Sequence, residues 1–298
     1  MRLYSARAAF WIGVVLFALS FFPFVAGRIQ STLVLGNVFF SVGYILVMDA
    51  VSFRLGGSSI LGAPHPLRHF LHFSVAGIAA GVLLDGFSQW LGKLWYYPYF
   101  SVGSYALWFV GGFVMYFLLV FESYEGIKAV VRRFMRPRRV RHRRFEPRLY
   151  TAFWRYGLLG IPAGVFVILL SYDKGYRFVI NSPLYLRTSF LGVLIVFLSV
   201  YLLLEYFEYR RRESSLLERL INRDYAPLVS ILIASVVLSL VMEVQNAPLG
   251  LWRYFNLPGM DVLFLGVPVS VFLAWPLQYF AFLSFYRAFF EKKDDVWN

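Results

Sequence analysis

The chain has 298 residues, 59% of them hydrophobic and only 15% charged, with a formal net charge of +13. A soluble domain carries nearer to about a quarter charged residues, so the composition excludes an ordinary solvated domain. With no cysteine, disulfides, thiol nucleophiles, iron–sulfur clusters and Cys-ligated zinc are excluded as well.

In chain order, eight apolar runs lie near residues 8–26, 33–51, 68–85, 103–122, 152–171, 186–206, 226–243 and 261–287. Each approaches or exceeds the roughly 18 residues that a transmembrane helix needs. Breakers separate them: Gly27-Arg28, Gly56-Gly57, Pro64 and Pro66, Pro98, the basic run after Lys128, Asp173–Gly175, Arg210–Arg212, and Pro248 with Pro258. The expectation is an all-α polytopic membrane protein with about eight transmembrane helices. Arg2 and Arg7 ahead of the first run resemble a signal peptide. However, RLYSA at Arg2–Ala6, followed by Phe10-Trp11, returns inside the chain as RLYTA at Arg148–Ala152, followed by Phe153-Trp154. An internal copy cannot be cleaved as a signal, so the first helix is expected to stay as an anchor. With the N-terminus inside, only Arg28, Lys93, Lys174, Arg177, Arg187 and Arg253 of the 29 Lys and Arg fall outside. This bias places both termini in the cytoplasm, and the membrane expected is a bacterial or archaeal cytoplasmic membrane.

The repeat continues along both halves. Leu83–Tyr97, LLDGFSQWLGKLWYY, matches Leu240–Tyr254, LVMEVQNAPLGLWRY. Each copy has an acid, an amide, Leu-Gly and Trp-x-Tyr, but Trp95 lies ten residues after Asp85 and Trp252 nine after Glu243. MDAVSFRLGGSS (Met48–Ser59) matches LEYFEYRRRESS (Leu204–Ser215), so Asp49 and Glu205 each precede a Ser-Ser by nine residues. LWFVGGFVMYF (Leu107–Phe117) matches VLFLGVPVSVF (Val262–Phe272), with Gly111 over Gly266. Four spans per half is an even number, so the expected architecture is two parallel four-helix repeats related by an axis along the membrane normal. They occupy residues 1–127 and 148–298, joined by a basic cytoplasmic linker at 128–147. That linker is expected to meet anionic lipid; without stacking aromatics in any order it is not read as a nucleic-acid site.

The residues with the greatest chemical potential are Asp85 and Glu243, since an acid at the end of a span is costly. Both are candidate proton donors, and structural hydrogen bonding at the interface is the competing reading. Gln89, Gln245 and Asn246 stand beside them as candidate substrate-binding amides. Trp95, Tyr97, Trp252 and Tyr254 are either an interfacial aromatic belt or the walls of a cleft whose ring faces would stabilise a cation. Asp49, Glu205 and Glu122 are expected to form ion pairs on the loop side, with Arg54 and Arg210–Arg212 close behind. His65, His69 and His72 share a helical face, but no acid or cysteine lies within that stretch; neither metal nor cofactor is expected. Pro162, Pro268 and Pro276 are expected to fall inside spans.

The acid and Trp-x-Tyr segments resemble integral-membrane carotenoid enzymes, namely the fused or heterodimeric lycopene cyclases. Gly266–Pro276, GVPVSVFLAWP, resembles a segment of the carotenoid hydratase relatives. The resemblance implies proton addition to a polyene or isoprenoid double bond, with Asp85 or Glu243 as donor and the aromatics facing the carbocation. The chain departs from the cyclases in lacking their Pro-x-Glu-Glu-type doublet and in having four spans per repeat where three would be expected. Three readings stand: an enzyme or binding protein for a lipophilic molecule held between the repeats near the outer face, a non-catalytic membrane scaffold, and a transporter. The sequence leaves the oligomeric state open.

Overall fold

The structure, a computed structural model, describes residues 5–22, 30–62, 66–98, 102–135, 147–172, 188–211, 214–290 and 297. Among these residues the chain is all-α, with four two-residue strands. The helices are α1 (Ala6–Leu19), α2 (Gln30–Arg54), α3 (Pro66–Ala80), α4 (Val102–Phe134), α5 (Pro147–Tyr172), α6 (Thr188–Arg210), α7 (Leu216–Ile221), α8 (Ala226–Leu249) and α9 (Val269–Phe289). α3 continues directly into a π-helical segment, Gly81–Leu91. Among the described residues, six helical stretches are long and apolar enough to cross a membrane: Val34–Arg54, Phe70–Leu91, Arg148–Leu170, Ser189–Arg210, Ala226–Ala247 and Val269–Phe289. α1 is apolar but shorter.

Two local structures differ from what the apolar runs suggest. α4 does not stop near residue 122 but carries on through Lys128 to Phe134. At about 1.5 Å per residue it outruns a hydrocarbon core of about 30 Å. The first residues of the basic linker are thus helical, and 136–146 lie outside the described residues. At the other end of the chain, the last apolar run begins not as a helix but as a hairpin. β3 (Leu263–Phe264) pairs with β4 (Val267–Pro268) across Leu265-Gly266. Leu265 and Gly266 both have positive φ, 54° and 79°, the backbone of a tight two-residue hairpin turn. Pro268 therefore precedes α9 and caps its start instead of kinking it. Pro162 and Pro276 do lie inside helices, as the sequence suggests.

The chain packs as two compact units, each drawing on both halves of the sequence. Unit 1 comprises Met1–Ala79, Pro98–Pro137 and Val229–Leu251; unit 2 comprises Ala80–Tyr97, Arg138–Leu228 and Trp252–Asn298. In unit 1, α1 lies tightly on α2 because Gly13 and Gly43 face each other: a Cβ added to Gly43 would lie 2.6 Å from the Phe17 backbone nitrogen. In unit 2, α5 lies on α6 in the same way through Gly164 and Gly192, where a Cβ on Gly192 would meet the Gly164 carbonyl oxygen at 2.6 Å. Without a hydrophobic force between helices in lipid, such close backbone contact is what holds a pair together.

Candidate functional site

The two Trp-x-Tyr segments meet each other in unit 2. β1 (Trp95–Tyr96) pairs antiparallel with β2 (Arg253–Tyr254), with Trp95 opposite Tyr254 and Tyr96 opposite Arg253. The next ring along, Tyr97, meets Trp252 edge-on with centroids 6.5 Å apart. Matched by their motifs, Tyr96 and Arg253 hold the same position, and each copy's Trp faces the other copy's Tyr. The Phe255 N–H donates to the Leu94 carbonyl at 2.8 Å, the Asn256 amide to the Lys93 carbonyl at 3.1 Å, and the Trp252 indole N–H to the Tyr254 hydroxyl at 2.8 Å. The four candidate aromatics thus form a half-buried clasp held by the strand pairing, the Tyr97–Trp252 ring contact and the Trp252–Tyr254 hydrogen bond. The sequence could name its members but not their pairing.

Lys93 and Gly250 each stand two residues before the Trp of their motif, Trp95 and Trp252, and both have positive φ, 50° and 63°. The turn demands a left-handed residue, and only the second copy supplies glycine. Lys93→Gly is expected to raise the unfolding midpoint by an increment worth about 1 kcal/mol, because a side chain in this region costs about 1–2 kcal/mol. Gly250→Ala should lower it by a similar amount. Thermal unfolding in detergent reads both, and equal midpoints for all three chains would show that the turn carries no strain.

The one-residue difference between the copies has a structural counterpart. The first copy's acid-to-Trp stretch starts in the π-helical segment Gly81–Leu91, whereas the second stays in regular α8 up to Leu249. A π-turn takes an additional residue into the helix without shifting its flanks, which accommodates ten residues in one copy against nine in the other.

The polar candidates are divided between the two units. Glu243, Gln245 and Asn246 sit on α8 in unit 1, and all three are buried. The Asn246 amide donates to Glu243 Oε2 at 2.9 Å, and the Gln245 amide reaches the Gly36 carbonyl at 3.5 Å. Gln89 is buried on the π-helical segment of unit 2, and its carbonyl accepts from the Lys93 N–H at 3.2 Å. The side chain of Asp85 lies outside the described residues, as do His65 and the His69 side chain.

At the Ser-Ser segments the acids do something the sequence did not suggest. In unit 1, Asp49 is fully buried, and its carboxylate accepts from Ser59 Oγ at 2.8 Å, Ile60 N–H at 2.8 Å and Leu61 N–H at 3.3 Å. Ser59 Oγ in turn accepts from the Gly62 N–H at 2.8 Å. In unit 2, Glu205 is fully buried and accepts from the Leu217 N–H at 3.3 Å and the Tyr201 hydroxyl at 2.8 Å, with the Ser215 hydroxyl within bonding reach. Ser215 Oγ accepts from the Glu218 N–H at 3.2 Å. The separations agree between the two sets: acid to backbone N–H twelve residues on, acid to Ser ten residues on, Ser to N–H three residues on. The expected partner of Asp49, Arg54, has its guanidinium 5.9 Å from the Phe10 ring centre. Buried N–H groups of a tight turn need an acceptor, and a carboxylate supplies several lone pairs at once.

α4 adds two further acids to the unit 1 cluster. Glu122 and Glu125 are both buried there. Glu125 receives the Ser58 hydroxyl and pairs with Lys128 at 2.8 Å, and the Lys128 ammonium lies 5.0 Å from the Tyr124 ring centre. Unit 2 holds an apolar hollow of about 240 Å³, open on one side, lined by residues that include Phe197, Leu198, Tyr201, Leu216, Leu277 and Phe280. Leu277 follows Pro276, whose missing N–H loosens the helix there. No protein-family model matches the chain, and no curated protein or solved structure matches it either.

Proposed function

We propose that the protein is an integral membrane protein of eight spans, built as two parallel four-helix repeats (1–127 and 148–298) around a basic linker, that binds or acts on a lipophilic molecule. Three observations support the repeat: the matching sets of hydrogen bonds around Asp49 and Glu205, the clasp in which each Trp faces the other copy's Tyr, and the pair of left-handed turn residues. Eight helices correspond to the eight apolar runs, and the charge bias puts both termini on the cytoplasmic side.

The observation that carries the binding reading is the unit 2 cavity. Its walls are almost wholly carbon, and its one hydroxyl, on Tyr201, is already donated to Glu205. Ligand pockets run from roughly 300 to 1,000 Å³, so a cavity of about 240 Å³ suits a single hydrocarbon chain better than a whole lipid. Isoprenoids and carotenoids, the class implied by the resemblance, are the first to test. The sequence reading offers a second seat, between the repeats near the outer face, with Asp85 and Glu243 as proton donors beside the amides and the aromatic clasp.

Mass spectrometry of lipophiles extracted from the purified protein tests both seats. Leu277→Trp, which fills the cavity, should remove a compound that the wild type retains; Asp85→Asn with Glu243→Gln should do so if the outer seat is used. If all three proteins, at equal abundance, carry the same profile, lipophile binding is refuted. The self-paired clasp would then favour the scaffold reading.

A further inference from the structure

The hairpin ahead of α9 does not have the pattern of a strand beside water. β3 and β4 are neighbours, yet Leu263 and Phe264 are exposed while Val267 and Pro268 are buried. An antiparallel edge strand that borders water alternates, apolar toward the core and polar toward solvent. Val262, Leu263, Phe264 and Leu265 do not alternate. All four are apolar and between 51% and 56% exposed, although successive side chains of a strand point to opposite faces. Both faces of β3 are thus bare, and both are carbon. The tip follows suit. Its first position has a φ of 54°, where Asn, Asp or Gly is the usual residue, and it holds Leu265. A tip in water would favour Asn for its backbone and its solvation alike. In the first copy the matching stretch, Leu107–Phe117, is part of continuous α4, so the hairpin belongs to the second copy alone.

The depth of the hairpin follows from α9. The Phe264 ring meets Phe272 edge-on with centroids 5.7 Å apart. Phe272 ends the first turn of α9, and the next residue, Leu273, is 72% exposed. The hairpin therefore lies beside that turn, and its bare side chains continue the apolar surface of a helix able to cross a membrane. The 21 residues of α9, at about 1.5 Å each, match a hydrocarbon core of about 30 Å, which puts the first turn at the hydrocarbon boundary. The backbone suits the same depth. The Val262 N–H donates to the Gly259 carbonyl and the Val269 N–H to the Val262 carbonyl, both at 3.0 Å. Leu263 faces Pro268, one step from the pair that flanks the turn, so its N–H and C=O point outward; Pro268 has no N–H to satisfy. Such an outward edge can reach headgroup water but is excluded from the middle of a bilayer.

We propose that the β3–β4 hairpin is a lipid-binding element. Val262, Leu263, Phe264 and Leu265 are immersed among acyl chains at the edge of the leaflet where α9 begins, the outer one by the charge bias, and Asp261, exposed at the foot of the hairpin, stays in water. Acyl chains surround both faces of a strand at once, whereas a docked protein covers one. No Lys or Arg lies between Arg253 and Arg287, so the hold is apolar and needs no anionic headgroup. This immersion requires only that α9 crosses the membrane and does not depend on the lipophile reading.

The chain has no cysteine, so single spin labels can be placed without background. Full-length Asp261→Cys, Leu263→Cys and Phe264→Cys, each carrying a nitroxide, are compared in phosphatidylcholine nanodiscs for collision with oxygen, which concentrates in lipid, and with a water-soluble nickel chelate. The labels at 263 and 264, on opposite faces, should both show an oxygen-to-nickel ratio several-fold above that at 261. A ratio at either site as low as at 261 overturns the proposal and puts the hairpin in water. Labels shielded from both reagents overturn it in favour of a protein partner, and mutual broadening of the labels would identify that partner as a second copy. Photolabelling of the unaltered chain by a phosphatidylcholine with a diazirine high in its acyl chain depends on no variant folding. Adducts on residues 262–265 support the immersion; adducts on Leu273 with none on 262–265 overturn it. Neither result alters the lipophile profile, so the two readings fail separately.

Discussion

Asp49→Ala is expected to lower stability by on the order of 3 kcal/mol, because several buried donors lose their acceptor together. The Ser59 hydroxyl and the N–H groups of Ile60 and Leu61 all bond the Asp49 carboxylate. Each orphaned buried donor costs about 1–3 kcal/mol. For a chain of this size, such a loss lowers the melting temperature by about 5–10 °C. Asp49→Asn retains one acceptor oxygen and should lose less. Glu205→Ala should behave alike in the second half, where the Leu217 N–H and the Tyr201 hydroxyl lose their acceptor. Thermal unfolding of detergent-solubilised protein measures all three. A midpoint unmoved by Asp49→Ala would mean that the turn after α2 is held by other groups.

Comparable losses are expected at two glycines. Gly43→Ala places a methyl 2.6 Å from the Phe17 nitrogen and 2.8 Å from the Gly13 carbonyl oxygen; Gly192→Ala places one 2.6 Å from the Gly164 carbonyl oxygen. These obstacles are backbone atoms on a facing helix, so relief requires the helices to separate along their length. Overpacking of this kind costs about 1–3 kcal/mol, and valine at either site should cost more than alanine. Gly112→Ala on α4 is the control: its added methyl meets nothing within 4 Å, and replacing a helical glycine with alanine is worth about 0.5–1 kcal/mol in favour of the variant. Unfolding midpoints ordered Gly112→Ala, wild type, then Gly43→Ala bear out the close-contact account. Equal midpoints for the two alanine variants would refute it.

Much of the frame is legible in the apolar runs, and the reason is simple. A helix crossing hydrocarbon must be apolar for about 20 residues, and that requirement is one-dimensional. The ends are less legible. α4 runs on past residue 122 because Glu125 and Lys128 pair within one turn and can continue a helix. The final run begins as a hairpin because Leu265-Gly266 adopts the two left-handed conformations that a tight turn needs. A hydropathy pattern carries neither fact. Charge and proximity in sequence favour an ion pair between Asp49 and Arg54. The backbone N–H groups of the returning turn bind the carboxylate instead, and backbone groups are invisible in a list of side chains.

The candidate site divides along the same line. The sequence by itself determined that the chain is apolar and helical, which residues recur, and that acid, amide and Trp-x-Tyr recur together; repetition and hydropathy are properties of order along the chain. Only the tertiary structure decided that the Trp-x-Tyr copies clasp each other and that Gln245 on α8 reaches the Gly36 carbonyl on α2. Only the tertiary structure, too, put an apolar cavity beside Leu277 and Phe280 in unit 2. These are contacts between residues far apart in sequence. They depend on which helix faces pack and how closely, which small side chains such as Gly13, Gly43, Gly164 and Gly192 permit but which no local pattern specifies.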